Sequence, residues 1–122
     1  MESILIVDDD INLCNILTEE LGDNGYDTCY LTEGKNVAGF LNDNKTDLVL
    51  LDLKIPDKDG FEIQRDINSQ PGFKPKVIIL TAYSDIKTAI KSARLGASDF
   101  FSKPYDFNEL LMSIRKVLPK VN

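Results

Sequence analysis

The chain has 122 residues, 43% hydrophobic and 28% charged, which suits one soluble domain that closes a hydrophobic core without disulfides or a structural metal. Its net charge of -6 argues against direct contact with nucleic acid, and no apolar run is long enough to span a bilayer. Histidine is absent, which excludes His-based triads, His metal ligands and His phosphocarriers in this chain; with no Cys-rich cluster either, any metal must be held by oxygen, pointing to magnesium, calcium or manganese.

Met1 is followed at once by "ESILIVD", with no basic segment and no signal-like apolar stretch, so a cytoplasmic location is expected. Ile4 to Val7 is a short apolar run and predicts a buried strand. Asp10 is placed to cap the next helix, which carries Ile11, Cys14, Leu17 and Leu21 inward at helical spacing. Turn residues 22 to 25 end that helix, and "YDTCYL" predicts a second strand. Cys14 and Cys29 lie within apolar patterns and have neither zinc nor redox spacing, so both are expected as small core residues. Val37, Phe40 and Leu41 mark a short second helix, and "DLVLLDL" a third strand. Residues 59 to 69 predict a helix that packs Phe61, Ile63 and Ile67, and "SQPGFKP" breaks the chain after it. "KVIIL" is a fourth strand. Ile86, Ala89, Ile90 and Ala93 line one face of a fourth helix, and Gly96 stops it. "SDFF" is a short fifth strand. Phe107, Leu110, Leu111, Ile114 and Val117 line the last helix, which Pro119 ends.

Near-continuous apolar strands alternating with amphipathic helices predict an α/β fold, a doubly wound parallel sheet of five strands with helices on both faces. In such sheets ligands bind beyond the carboxyl ends of the strands, where the strand order reverses. Asp8, Asp9 and Asp10 follow strand one, Asp52 follows strand three, Thr81 follows strand four, and Lys103 and Pro104 follow strand five. Carboxylates brought within about 4 Å repel by roughly 4 kcal/mol per pair at an effective dielectric near 20. A hard divalent cation and the Lys103 ammonium would balance them. A metal, an ammonium and a hydroxyl around a free carboxylate oxygen form a phosphoryl-transfer site with a carboxylate nucleophile.

The segments "ILIVDDD", "LVLLDLKIPDKDG", "LTA" and "SKPYD", in that order and each at a predicted strand end, resemble a response-regulator receiver domain. The resemblance runs from Ser3 to about Leu118 and implies one receiver domain over residues 1–122, of flavodoxin-like fold with sheet order 2-1-3-4-5. It is similar both to single-domain phosphorelay receivers and to the receivers that precede transcriptional activator domains. The resemblance implies that Asp52 accepts a phosphoryl group from a partner phosphohistidine in a magnesium-dependent reaction, with manganese or calcium as substitutes. It implies that Asp9, Asp52 and, less directly, Asp8 hold the ion together with the backbone carbonyl of Lys54. Thr81 would donate its hydroxyl to a phosphoryl oxygen, Ala82 would leave room beside it, and Lys103 would pair with the phosphoryl group. The Lys103–Pro104 bond would be cis, and Thr81 and Phe100 would be the switch residues, Phe100 at the family's aromatic switch position. The implied donor is a sensor histidine kinase or a histidine phosphotransfer domain, docking on helix one near Asn12, Asn15 and Ile16. Downstream, the resemblance implies a phosphorelay protein or a fused output domain. It also implies a phosphorylation-dependent homodimer through the fourth and fifth helices, and no membrane partner.

The resemblance also implies that Lys54 and Tyr83, two residues beyond Asp52 and Thr81, flank the route of an attacking water; a long cation and a bulky phenol there predict slow self-dephosphorylation. Asp57 and Asp59 are expected to serve only as turn and cap. A haloacid-dehalogenase-type phosphatase needs an Asp-x-Asp-x-Thr/Val motif after strand one, which Asp8 to Asn12 do not provide. A flavin module needs Ser, Thr and Gly there, and three acids would repel its phosphate. A degenerate receiver used only for contacts would lack a key position, and none is missing. The expected role is a phosphoacceptor switch, not a turnover enzyme.

Overall fold

Alternate residues of the first strand point to opposite faces of the sheet, and both sets are apolar. In this computed structural model, which describes residues 1–119, Ile4 and Ile6 join one core cluster while Leu5 and Val7 join another. The last three residues of the expected 1–122 domain lie outside the described residues. β1 (Ser3–Val7), β2 (Asp27–Leu31), β3 (Leu48–Leu51), β6 (Lys76–Thr81) and β7 (Asp99–Ser102) form one parallel sheet in the order β2-β1-β3-β6-β7. This is the expected 2-1-3-4-5 order once a small antiparallel hairpin, β4 (Lys54–Ile55) with β5 (Lys58–Asp59), is set aside.

α1 (Ile11–Asp23) and α5 (Phe107–Val117) cover one face, contributing Cys14, Leu17, Leu21, Leu110, Leu111 and Ile114 to its core. α2 (Val37–Asp43) and α3 (Gly60–Asn68) cover the other through Val37, Ile63 and Ile67. Aspartates cap α1, α3 and α5, and Asp85 caps α4 (Ile86–Arg94): each carboxylate accepts a first-turn N–H that the helix leaves unpaired. Asp10 and Asp59 therefore cap, as their positions predicted. No helix among the described residues is long and apolar enough to cross a membrane.

Three sequence expectations fail. The apolar stripe of α4 faces water: Ile86 is 77% exposed and Ile90 47%, while the residue that α4 buries fully is Ser92. A serine lets α4 lie close to α3, where Gln64 Nε2 donates to the Ser92 carbonyl at 3.1 Å. Periodicity identified the apolar face but not which way the helix is turned. Ile11, expected inward, is exposed in the first turn of α1, ahead of the point where the helix meets the sheet. Cys29 is exposed because β2 is an edge strand, with β1 as its only strand neighbour among the described residues, and α2 is too short to cover it.

The β3–α3 connection is pinned by a close backbone approach. Gly60 N–H donates to the Leu53 carbonyl at 3.2 Å, and a Cβ on Gly60 would stand 2.4 Å from the Leu53 Cα. Both atoms belong to backbone, which cannot swing aside. Gly60→Ala is therefore expected to cost at least about 2 kcal/mol, at the upper side of what overpacking costs. Urea unfolding checks this, and an unchanged midpoint would show that the connection yields freely.

Candidate functional site

Strand register assembles the site. Val7 pairs with Leu51, so the next residues along each strand, Asp8 and Asp52, emerge side by side at the carboxyl edge of the sheet. This is the point where strand order reverses, between β1 and β3. Thr81 pairs with Ser102 across β6 and β7, which sets Lys103 just past the edge on the same side. Backbone hydrogen bonds continue the ladder beyond the strands: Asp52 N–H donates to the Val7 carbonyl at 2.9 Å, and Lys103 N–H to the Thr81 carbonyl at 3.0 Å.

The side chains converge. Lys103 Nζ lies 2.7 Å from Asp8 Oδ2 and 2.9 Å from Asp52 Oδ2. Thr81 Oγ1 donates to Asp52 Oδ1 at 2.7 Å, and the Lys54 N–H donates to the same oxygen at 3.0 Å. The Tyr83 N–H donates in turn to Thr81 Oγ1 at 3.2 Å. Asp8 Oδ1 accepts the Asp10 N–H at 2.9 Å. Asp8 is 2% exposed, Asp52 6% and Thr81 fully buried, whereas Asp9 is exposed at the mouth. Lys103–Pro104 is a cis peptide, and Phe100 is half-buried against the α2–α3 side of the sheet.

Three carboxylates therefore face one ammonium. Asp8, Asp9 and Asp52 each offer an oxygen, and these atoms all lie within 4.8 Å of one another. Burial pushes the Asp8 carboxyl above its usual value, offset only in part by Lys103 and by the Asp10 N–H. Burial pulls Lys103 down, but its hydrogen bonds to Asp8 and Asp52 outweigh that and hold the ammonium above the ordinary lysine value. Lys103 thus stays charged, and the notch keeps an excess of negative charge. An ionised carboxylate has about four lone-pair sites, and described protein donors occupy three on Asp52 and two on Asp8. Hard oxygen donors with lone pairs to spare, a net negative charge and an open side at Asp9 fit a hard divalent cation. Cys14 takes no part: its Sγ touches the Asp8 carbonyl at 3.4 Å, and burial pushes its thiol up to about 11, leaving it protonated.

Asp10 caps α1 as expected, and Asp8, Asp9, Asp52, Thr81 and Lys103, expected at the site from the strand ends, are brought together here. Lys54 and Tyr83 meet above it, with the Lys54 ammonium 5.0 Å from the centre of the Tyr83 ring. The sequence reading missed the β4–β5 hairpin and with it a role for Asp57, whose carboxylate reaches the N–H groups of Gly34 and Lys35. Its partners are more than twenty residues away in sequence, and no local signal marks them.

Residues 4–115 match the family model described as the response regulator receiver domain. Sporulation initiation phosphotransferase F of Bacillus subtilis (strain 168) is 37% identical over 97% of this chain and 94% of its own length. Regulatory protein AtoC of Escherichia coli (strain K12) is 33% identical over 94% of this chain, which spans only 25% of that protein. Among solved structures, the response regulator protein TrrA from Thermotoga maritima, in complex with Mg(2+)-BeF, superposes with a TM-score of 0.84 at 32% identity, covering 96% of this chain and 99% of that one.

The crowding can be read as stability. Because the folded Asp8 carboxyl is raised above its unfolded value near 3.8, the folded state holds that proton more tightly, and the wild type gains stability as pH falls through the raised value. In metal-free buffer at pH 7, Asp8→Asn removes a buried charge and keeps an acceptor for Lys103 at the expense of the one for the Asp10 N–H, and should stabilise the fold by at most roughly 1 kcal/mol. The difference should narrow on acidification toward pH 3.8. Urea titrations across pH measure it, and a destabilised variant at pH 7 would show that the Lys103 pair outweighs the desolvation.

Proposed function

Since this chain belongs to the response-regulator receiver family of two-component signal transduction, we propose that Asp52 is its phosphoacceptor and that the notch around it is a magnesium-dependent phosphoryl-transfer site. The observation that carries the reading is the convergence of Lys103 and Thr81 on the two oxygens of Asp52, beside the Asp8 and Asp9 carboxylates. Asp9, Asp52, Asp8 and the Lys54 carbonyl would hold the ion, with manganese or calcium as substitutes. When bound, the cation neutralises charge on the transferring phosphoryl oxygens.

The protein's own groups do the rest. An Asp52 oxygen attacks the phosphorus of a partner phosphohistidine; the P–O bond forms as the P–N bond breaks, and the departing imidazole nitrogen keeps the electron pair. The product is an acyl phosphate on Asp52. Lys103 and Thr81, which hold the Asp52 oxygens before transfer, are positioned to hand their donors to the phosphoryl oxygens after it, with Ala82 leaving space. Movement of Thr81 would free room beside Phe100 and let the aromatic ring turn inward. The receiver is thus a phosphoacceptor switch acting in the cytoplasm.

With no histidine in the chain, the donor is another protein, a sensor histidine kinase or histidine phosphotransfer domain. Ile16 is 54% exposed on α1 and Ile11 55%, with Asn12 and Asn15 exposed between them. This apolar patch beside the acidic loop supports α1 as the docking face. The exposed Ile86, Ile90 and Met112 on α4 and α5 support that face for a phosphorylation-dependent homodimer, a downstream phosphorelay protein or a fused output domain.

Acetyl phosphate with magnesium should add one phosphoryl group to the intact protein, seen by mass spectrometry. The addition should vanish with a chelator and in Asp52→Asn. Persistent labelling of Asp52→Asn would move the acceptor elsewhere and overturn the assignment.

The Lys54–Tyr83 stack joins two residues tied to Asp52: the Lys54 N–H donates to its carboxylate, and the Tyr83 N–H to Thr81, which holds the same oxygen. It supports slow loss of the phosphoryl group, by neutralising charge and excluding water. The double variant Lys54→Asn, Tyr83→Glu should lose phosphate about ten-fold faster, the equivalent of about 1.4 kcal/mol off the barrier. Equal or slower loss would end this part of the reading.

A further inference from the structure

The loop that follows Asp52 is fastened at its far end by Asp57. Lys54 pairs with Asp59 and Ile55 with Lys58, so Pro56 and Asp57 form the hairpin tip. From that tip the Asp57 carboxylate reaches the connection between β2 and α2. Its Oδ1 accepts the Gly34 N–H and its Oδ2 the Lys35 N–H, both at 2.9 Å. These consecutive N–H groups open the short 3-10 turn Gly34–Asn36 that leads into α2. The two bonds hold the Asp57 carboxyl below the usual carboxylate range.

The two loops also touch directly. A Cβ on Gly34 would stand 2.6 Å from Ile63 Cδ1 and 3.0 Å from Lys58 Cβ. Lys58 in turn pairs with Asp66 on α3. The hairpin is thus clamped at both ends, by the Leu53–Gly60 contact at its base and by Asp57 at its tip. Lys54 lies between the clamps. Its N–H already donates to Asp52, so the plane of the preceding peptide is set by the carboxylate it serves.

We propose that Asp57 is a positioning residue for the divalent cation: by tying the hairpin tip to the Gly34–Lys35 backbone it presets the Lys54 carbonyl at the Asp8–Asp9–Asp52 notch, and so raises cation affinity without touching the ion. The inference rests on the cation site proposed above. Groups that orient metal ligands act in this way because the ligand then need not be ordered at the moment of binding. Coupling is reciprocal, so a bound ion must also tighten the Asp57 clamp.

The test is calorimetric titration of magnesium chloride into the metal-free protein, with amide hydrogen exchange followed over residues 33–36. Three variants are compared: Asp9→Asn, Asp57→Ala and Lys35→Pro. Asp57→Ala removes both bonds of the clamp and Lys35→Pro one of the two, and their charge effects on cation binding oppose each other: Asp57→Ala removes a negative charge, Lys35→Pro a positive one. Proline is tolerated in a first helical turn, and urea unfolding confirms that each variant is folded. The wild type should bind one ion, Asp9→Asn should not, and both clamp variants should bind about three- to ten-fold more weakly, at or below the range typical of outer groups that orient metal ligands. Magnesium should also slow exchange at Gly34 and Lys35 in the wild type. If the wild type binds no magnesium, the cation site fails and this inference with it. If the wild type binds and the folded clamp variants stay within about two-fold of it, or only Asp57→Ala weakens while Lys35→Pro strengthens, the clamp is structural or electrostatic and the inference alone is overturned.

Discussion

The Lys103 ammonium between Asp8 and Asp52 is the interaction on which the site depends. Two carboxylates that are nearly sealed from water sit on adjacent strands, and a single charge bridges them at 2.7 and 2.9 Å. The bridge exists because parallel register sets Asp8 beside Asp52 and because Lys103 leaves β7 next to Thr81. Asp8, Asp52 and Thr81 each follow directly on a core position of their strands, Val7, Leu51 and Leu80. The apolar core therefore fixes the anionic notch: residues buried at Val7, Leu51 and Leu80 decide where the charges stand.

One ammonium does not balance three carboxylates, and that imbalance gives the site its chemistry. A notch fully neutralised by protein would have no use for a cation, and one without Lys103 would pay heavily to fold. Here the protein satisfies Asp52 on both oxygens with donors that can be reassigned: a hydroxyl, an ammonium and one backbone N–H. The same donors that stabilise the carboxylate suit the oxygens of a phosphoryl group attached to it. In the proposed transfer, ground state and product would share one set of partners, and little would have to be rebuilt between them.

Much of this was legible in the sequence. An aspartate closing the run Leu48–Leu51 asks for a partner, and the four strand ends supply the set from which the partners come. The alternation of apolar strands with amphipathic helices foretold the layers, and the strand order followed from the family resemblance. Register and orientation were not legible. Nothing in Ile86, Ala89, Ile90 and Ala93 says that their stripe turns to water, because helical periodicity names a face without naming its neighbour. Cys29 reads as core in an apolar strand, and its exposure follows only from that strand standing at the edge. The Asp57 clamp joins residues far apart in the chain, and a single sequence carries no trace of such a meeting.

The packing of α4 has a consequence of its own. Its isoleucines are already hydrated, its fully buried side chain is a serine, and the Gln64 amide that binds it leaves its carbonyl oxygen, buried, without a partner. Sliding or lifting this helix would expose little new oil-like surface; what it would give up is the Gln64–Ser92 bond, worth roughly 1 kcal/mol net. α1 and α5 are held by rows of buried leucines and pay in full for any displacement. Of the long helices, α4 is the one joined by polar tethers, the Gln64 and Asn68 side chains on the Ser92 and Leu95 carbonyls, where its neighbours use rows of buried aliphatic side chains.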